Sequence, residues 1–154
     1  MIQCVSRVDV ILFLCSALCF LFAIEAEFAF DDNEAIIKNP YVNDEISVIQ
    51  LFRTDFWGTE LSSKSSHKSF RPLTVLTFRF LKVLNKGILY PRTFHCANII
   101  LHGLICVLLN RCLSIICTRL QRNKCIIPLH EIPFMTSLLF AVHPIHSEAV
   151  RFSL

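Results

Sequence analysis

The sequence predicts an all-α membrane segment, and three observations carry that prediction. Of its 154 residues, 54% are hydrophobic and only 18% are charged, against about 45–50% and about 25% in an ordinary soluble domain. The apolar residues arrive in long uncharged blocks, which lipid solvates more readily than a core of this size can bury them. In the more polar stretch that opens at Pro72, apolar residues recur at spacings of three and four, the period of a helix. Three glycines and six prolines exclude a flexible linker, a collagen-like repeat or a disordered tail, all of which need the opposite composition. A net charge of +3 without a basic cluster excludes a nucleic-acid-binding surface.

The first element is an anchor over residues 1–25. Val10 to Ile24 gives fifteen uncharged residues after Arg7, short for a span of ~17–25. A cleaved signal peptide is the competing reading, although Ala26 after Ile24-Glu25 fits an A-x-A cleavage pattern poorly. Residues 26–92 form a mixed loop with brief helices, such as one within Ile46–Phe52. Its last part is an amphipathic helix that lies along a membrane surface, with Leu73, Leu76, Phe80, Val83 and Leu84 toward lipid and Arg79, Lys82 and Lys86 toward headgroups. A second span occupies residues 93–118. There His95, Asn98 and His102 share an arc of roughly 60° and require partners on other helices, because lipid leaves polar groups unsatisfied. A loop over 119–131 follows, and then a third membrane segment over 132–154 whose apolar run, Ile132–Val142, is eleven residues long, too short to span alone, so that it is either re-entrant or a span counted from Ile126 to Ile145 with His130 and Glu131 at an interface.

Charge places these elements. Arg119, Arg122 and Lys124 face only Glu131 in the 119–131 loop, while nine acidic and nine basic residues balance between Glu25 and Arg92. The excess of basic residues puts the N-terminus and the 119–131 loop in the cytosol and the 26–92 loop on the luminal side. Complete crossings then return His143 to the side that holds Asp32. Six of the eight cysteines, Cys15, Cys19, Cys96, Cys106, Cys112 and Cys117, lie in or at the ends of apolar blocks, Cys4 and Cys125 lie in cytosolic parts, and none lies in the 26–92 loop. That is the opposite of a secreted disulfide framework.

Three groups of side chains invite chemistry. Asp31-Asp32 is either a helix cap, with Glu34 completing a capping box, or a pair of carboxylates whose repulsion poises one as a base. His143, His146 and Glu148 offer a metal site, a phosphate- or sugar-orienting group, or a capped helix start at Pro144; the order does not match H-E-x-x-H. Within Ser66-His67-Lys68-Ser69-Phe70-Arg71, Arg71 suits bidentate phosphate recognition and Lys68 a point charge, or the run is a solvated loop.

Five stretches read in order carry a resemblance. They are Phe28-Ala29-Phe30-Asp31-Asp32-Asn33-Glu34-Ala35-Ile36, Asp55-Phe56-Trp57-Gly58, Ser66 through Arg79, Phe94-His95 through Leu101-His102, and Leu139 through Val150. Together, over about residues 26–150, they resemble the N-terminal part of the transmembrane and tetratricopeptide repeat-containing O-mannosyltransferase family. The resemblance implies the start of a multi-spanning GT-C glycosyltransferase bundle of the endoplasmic reticulum membrane, continued by luminal helical repeats. It implies mannose transfer from dolichyl phosphate mannose to Ser or Thr of luminal proteins, cadherins being typical acceptors. Under it, Asp31 or Asp32 is the general base for the acceptor hydroxyl. The leaving phosphate then needs cationic stabilisation, for which Lys68, Arg71 and the cluster of His143, His146 and Glu148 are the candidates for binding the donor's phosphate or sugar, and a divalent metal is possible. Phe70 stands where the family pattern usually has Tyr, and the pattern is lost after Val150. These residues alone are therefore expected to be inactive. A non-catalytic membrane-anchored interaction module is the alternative, and a soluble domain released by signal cleavage a further one.

Overall fold

The computed structural model describes residues 6–43, 46–121 and 131–151. Among them every extended regular element is helical, apart from a single bridge between Thr54 and Glu60. The elements are α1 (Arg7–Phe20), a 3₁₀ turn (Leu21–Glu25), a π turn (Asn33–Ile37), α2 (Pro40–Asn43), α3 (Val48–Leu51), α4 (Pro72–Leu84), α5 (Pro91–Gln121), α6 (Ile132–Val142) and α7 (His146–Arg151). The 119–131 loop falls largely on residues 122–130, outside the described residues, as do Cys4, Cys125 and the last three residues of the third segment. Two compact units are present, one from the described parts of Met1–Ile24 and Cys96–Arg151, the other from Glu25–His95.

In the first unit, α1 begins at a capping box. Ser6 Oγ accepts from the Asp9 N–H, and Asp9 Oδ2 accepts from the Ser6 N–H, which satisfies two donors a helix start leaves open. Asp9, Leu12, Ser16 and Phe20 are buried along one line of α1, at the three- and four-residue spacing of a helix face. α1 packs on α6 and approaches α5 closely at Gly103, where a Cβ would lie 2.6 Å from the Phe13 ring. Small residues permit such close approach between helices in lipid. Phe20, Ala23, Ile99 and Val150 form the apolar cluster of the unit. The polar stripe of α5 finds its expected partners here: the His102 imidazole donates from Nε2 to Ala141 O at 3.2 Å, and Asn98 Nδ2 donates to Val150 O at 3.4 Å.

The second unit is built on a run of rings. Phe28 meets Phe94 edge-on at 5.3 Å between centroids, Phe94 meets Phe78 at 5.8 Å, Phe78 meets Phe56 at 6.1 Å, and Phe56 meets Trp57 at 4.9 Å. Phe94 belongs to the first turn of α5, so that turn is part of this unit. His95, the third member of the α5 stripe, lies here too and bonds Ala26 O through Nε2 at 3.1 Å.

α4 corrects one expectation. Arg79 and Lys82 do not face headgroups: Arg79 Nη1 donates to Ile46 O, and Lys82 Nζ donates to Asn43 O at 2.8 Å. The face that carries Val75, Phe78 and Leu81 is buried against the π turn and α2, whereas Leu73, Phe80, Val83 and Leu84 are exposed. The helix is apolar on two faces, and the shorter-range period revealed only one of them.

Candidate functional site

The acidic pair sits on a tight turn closed twice between the same two residues. The Asp32 N–H donates to Ala29 O at 3.0 Å, and the Ala29 N–H donates to Asp32 Oδ2 at 3.2 Å. Phe30, inside the turn, is held at φ 44°, a left-handed conformation that costs a residue with a Cβ roughly 1–2 kcal/mol and persists only where neighbours enforce it. The two carboxylates therefore differ: Asp32 is 1% exposed and its side chain closes the turn, while Asp31 is exposed. The capping box expected from Asp31 and Glu34 does not form. The Glu34 carboxylate pairs instead with Lys38 Nζ at 2.6 Å, and the residue ahead of the π turn makes no side-chain cap bond. The cause is the turn at Phe30, which commits Asp32, rather than Asp31, to the backbone.

A second carboxylate organises the loop before α4. Asp55 is 2% exposed. Its Oδ1 accepts from the N–H groups of Trp57 (3.0 Å) and Thr59 (2.9 Å), and its Oδ2 from Ser66 Oγ (2.7 Å) and the His67 N–H (3.1 Å). Burial opposes its ionisation, but the bonds from Ser66, Thr59, Trp57 and His67 outweigh burial and hold the carboxyl below the usual carboxylate range. Asn39, fully buried, ties this loop to α2, since its Nδ2 donates to Phe56 O and its Oδ1 accepts from the Tyr41 N–H. Gly58 fits between them at φ 84°, where a Cβ would lie 2.8 Å from Asn39 Oδ1 and 2.9 Å from Pro40 Cδ. Gly58→Ala is expected to cost this unit about 2–3 kcal/mol through the left-handed backbone and the forced contact, read by denaturant unfolding followed through Trp57 emission.

Lys68 and Arg71 leave this loop differently. Lys68 Nζ donates to the carbonyls of Leu61 and Ser63, so its ammonium closes the serine-rich turn. Arg71 stands ahead of α4, exposed, with its guanidinium carbon 5.2 Å from the Phe56 ring centroid, a cation–π contact that orients the fork while leaving it open to an anion.

In the first unit the turn from α6 to α7 gathers histidines. His143 Nδ1 accepts from the Ile145 N–H at 3.2 Å, and His143 O accepts from the His146 N–H at 3.2 Å, which starts α7. The His146 ring lies 4.3 Å from Phe140, 5.0 Å from His102 and 6.2 Å from His143, centroid to centroid. Glu148 is exposed in the first turn of α7. Among the described residues no three His, Cys, Asp or Glu side chains converge as a metal site requires, so no metal-dependent step is derived.

Asp31 and Asp32 thus share a unit with Lys68 and Arg71, joined through the rings from Phe28 to Phe56, while His143, His146 and Glu148 share the other. Sequence reasoning gave no role to Asp55, although an Asp three residues before a Gly and in reach of hydroxyl donors is a turn-forming signal. It also left Asp9 and Arg111 unpaired, whereas Arg111 Nη2 donates to Asp9 Oδ2 at 2.8 Å.

Among the described residues two helices, Arg7–Glu25 and Pro91–Leu120, are long and apolar enough to cross a membrane, in keeping with an all-α membrane-associated segment. Known proteins narrow this class. The chain is 44% identical over 138 residues to mouse protein O-mannosyl-transferase TMTC4, covering 88% of itself and 18% of that protein. It is 42% identical over 137 residues to human protein O-mannosyl-transferase TMTC1, covering 88% of itself and 14% of that protein. With human protein O-mannosyl-transferase TMTC3 the identity is 40% over 132 residues, covering 86% of the chain and 13% of the relative. No family profile matches the chain, and no solved structure matches it. The chain is thus similar, over 86–88% of its own length, to a part of the TMTC protein O-mannosyl-transferases, and it spans less than a fifth of the length of these relatives.

Proposed function

We propose that this segment supplies the acceptor-activating carboxylate of a multi-spanning O-mannosyltransferase of GT-C type in the endoplasmic reticulum membrane, its N-terminus cytosolic and its acidic turn luminal. The donor is dolichyl phosphate mannose, and the acceptors are Ser or Thr hydroxyls of luminal domains such as cadherins, presented with the help of helical repeats elsewhere in the full protein. One observation carries the reading: of two adjacent carboxylates, Asp32 is buried and closes the turn, and Asp31 is exposed beside it. A buried neighbour fixes the geometry, and an exposed carboxylate can reach a substrate proton.

In this scheme the acceptor oxygen attacks the anomeric carbon of mannose and forms the new glycosidic bond while Asp31 takes the hydroxyl proton. The bond from the anomeric carbon to the phosphate oxygen breaks, and dolichyl phosphate leaves with the electron pair. The leaving phosphate needs cationic donors rather than a strong acid. Arg71, open above Phe56, fits that task better than Lys68, whose ammonium already meets two carbonyls.

The test places this segment in a full-length protein, replacing the matched part of the mouse relative, and measures mannose transfer from dolichyl phosphate mannose. Asp31→Asn should lower transfer about 100-fold at normal expression. Asp32→Asn should lower transfer together with the resistance of the turn to proteolysis. Unchanged transfer in Asp31→Asn overturns the assignment and favours a non-catalytic anchored module.

A further inference from the structure

We propose that Phe30 reads the acceptor: its ring receives an apolar side chain that lies two residues from the acceptor Ser or Thr, on the same face of an extended polypeptide. The inference rests on Asp31 as the base and adds a specificity-determining residue beside it. Phe30 is 82% exposed, more than any other large apolar side chain among the described residues, and it stands at φ 44°. The turn holds it there from both sides, because the Asp32 N–H donates to Ala29 O across it and the Asn33 N–H donates to Phe30 O at 3.2 Å. A turn of this shape favours glycine or asparagine. A phenylalanine with most of its ring in solvent adds backbone strain and little packing, and strain of that kind marks a place where the side chain has another use.

The occupant follows from the base. A carboxylate that takes the acceptor proton lies within hydrogen-bond reach of the acceptor oxygen, and in a direct displacement the leaving phosphate lies on the far side of the anomeric carbon. The residue next to the base therefore borders the polypeptide that carries the hydroxyl. Along an extended polypeptide, side chains of one face recur every second residue, about 7 Å apart. Phe30 and Asp31 leave neighbouring Cα atoms about 3.8 Å apart, so a ring and a carboxylate from one turn span two successive side chains of such a face. Charge argues against lipid in this place. Glu27, Asp31 and Glu34 are exposed within four residues of Phe30, and Lys38, the nearest cation in sequence, pairs with Glu34 at 2.6 Å. A ring flanked by carboxylates lacks the cations that favour a headgroup layer. The same carboxylates disfavour an acidic neighbour to the acceptor hydroxyl and leave an apolar one.

The test uses the full-length chimera and a cadherin domain with one acceptor threonine, carrying either leucine or serine two residues from it. Phe30→Ala keeps the Cβ, and with it the backbone cost, but removes the ring. At saturating dolichyl phosphate mannose it should raise the KM for the leucine form about tenfold, change kcat less than about twofold, and erase the preference for leucine over serine; Phe30→Tyr should restore both the KM and the preference. A second readout needs no turnover: p-benzoylphenylalanine in place of Phe30, in an Asp31→Asn background, should crosslink to the cadherin domain beside its acceptor threonine. An unchanged acceptor KM overturns the proposal, and so does a raised KM for the donor, which makes the ring a platform for the sugar. Crosslinking to phospholipid overturns it in favour of a ring in the membrane, and no crosslink to either overturns it outright. Loss of transfer in Asp31→Asn with an unchanged acceptor KM in Phe30→Ala removes this inference alone. Unchanged transfer in Asp31→Asn removes the base, while the crosslink still decides whether the acceptor meets Phe30.

Discussion

Replacing Asp55 with alanine should cost the second unit about 3–5 kcal/mol. Four donors, from Trp57, Thr59, Ser66 and His67, meet on one carboxylate that is 2% exposed. Each buried donor left without an acceptor costs about 1–3 kcal/mol, and partial relaxation of the loop keeps the sum below simple addition. Asparagine discriminates this from a mere loss of volume. Its oxygen can keep the Trp57 and Thr59 bonds, but its amide would point N–H groups at Ser66 and His67, so Asp55→Asn should lose roughly half as much. Urea unfolding followed through Trp57, the chain's single tryptophan, reads both variants. A loss below about 1 kcal/mol in Asp55→Ala would mean that water replaces the carboxylate and that the loop is not organised by it.

The same residue sets an acid limit. Its pKa is held below the ordinary value in the folded chain, so its contribution is complete above the unfolded pKa of about 3.9 and is lost as the pH falls through the lower folded value. Wild type should lose stability below about pH 4, and Asp55→Asn should lose less over that range.

What could be read from the sequence, and what could not, divides along the range of the forces involved. α6 coincides with the expected run Ile132–Val142 because Pro133 and His143-Pro144 punctuate it locally, whereas α5 extends beyond the expected 93–118 at both ends, to Pro91 and Gln121, since polar residues continue a helix as readily as they end it. Polarity also announced that His102 and Asn98 need partners. It could not say that those partners are backbone carbonyls of Ala141 and Val150. α4 was recognisable as a helix, but which apolar face is buried depends on α2 and the π turn, thirty residues upstream. The distinction between Asp31 and Asp32 rests on a left-handed turn at Phe30, and no glycine marks it. At Gly58 and Gly87, where positive φ does fall on glycine, the local sequence is informative.

Neutralising Arg111 alone should destabilise the first unit by about 3 kcal/mol or more, and neutralising its partner as well should restore most of the loss. Asp9 side-chain exposure is 5% and that of Arg111 is 33%, so removal of the cation leaves a carboxylate with little water. Breaking one member of a buried pair costs about 3–5 kcal/mol, whereas replacing both with neutral groups of similar size is often tolerated. Asp9→Asn is the informative partner substitution, because an asparagine oxygen can still accept from the Ser6 N–H and preserve the helix start. The measurable quantity is the coupling in a cycle of Asp9→Asn, Arg111→Met and the double variant, read by helix loss on denaturing-detergent titration. A coupling near zero would mean that the pair is solvated and carries no register information. A large coupling assigns it a specific task, since the two residues are 102 positions apart and lock one end of α1 to α5. An ionic pair of this kind costs little when matched and much when mismatched, and it therefore excludes sliding of one apolar helix along another, which dispersion forces alone would permit.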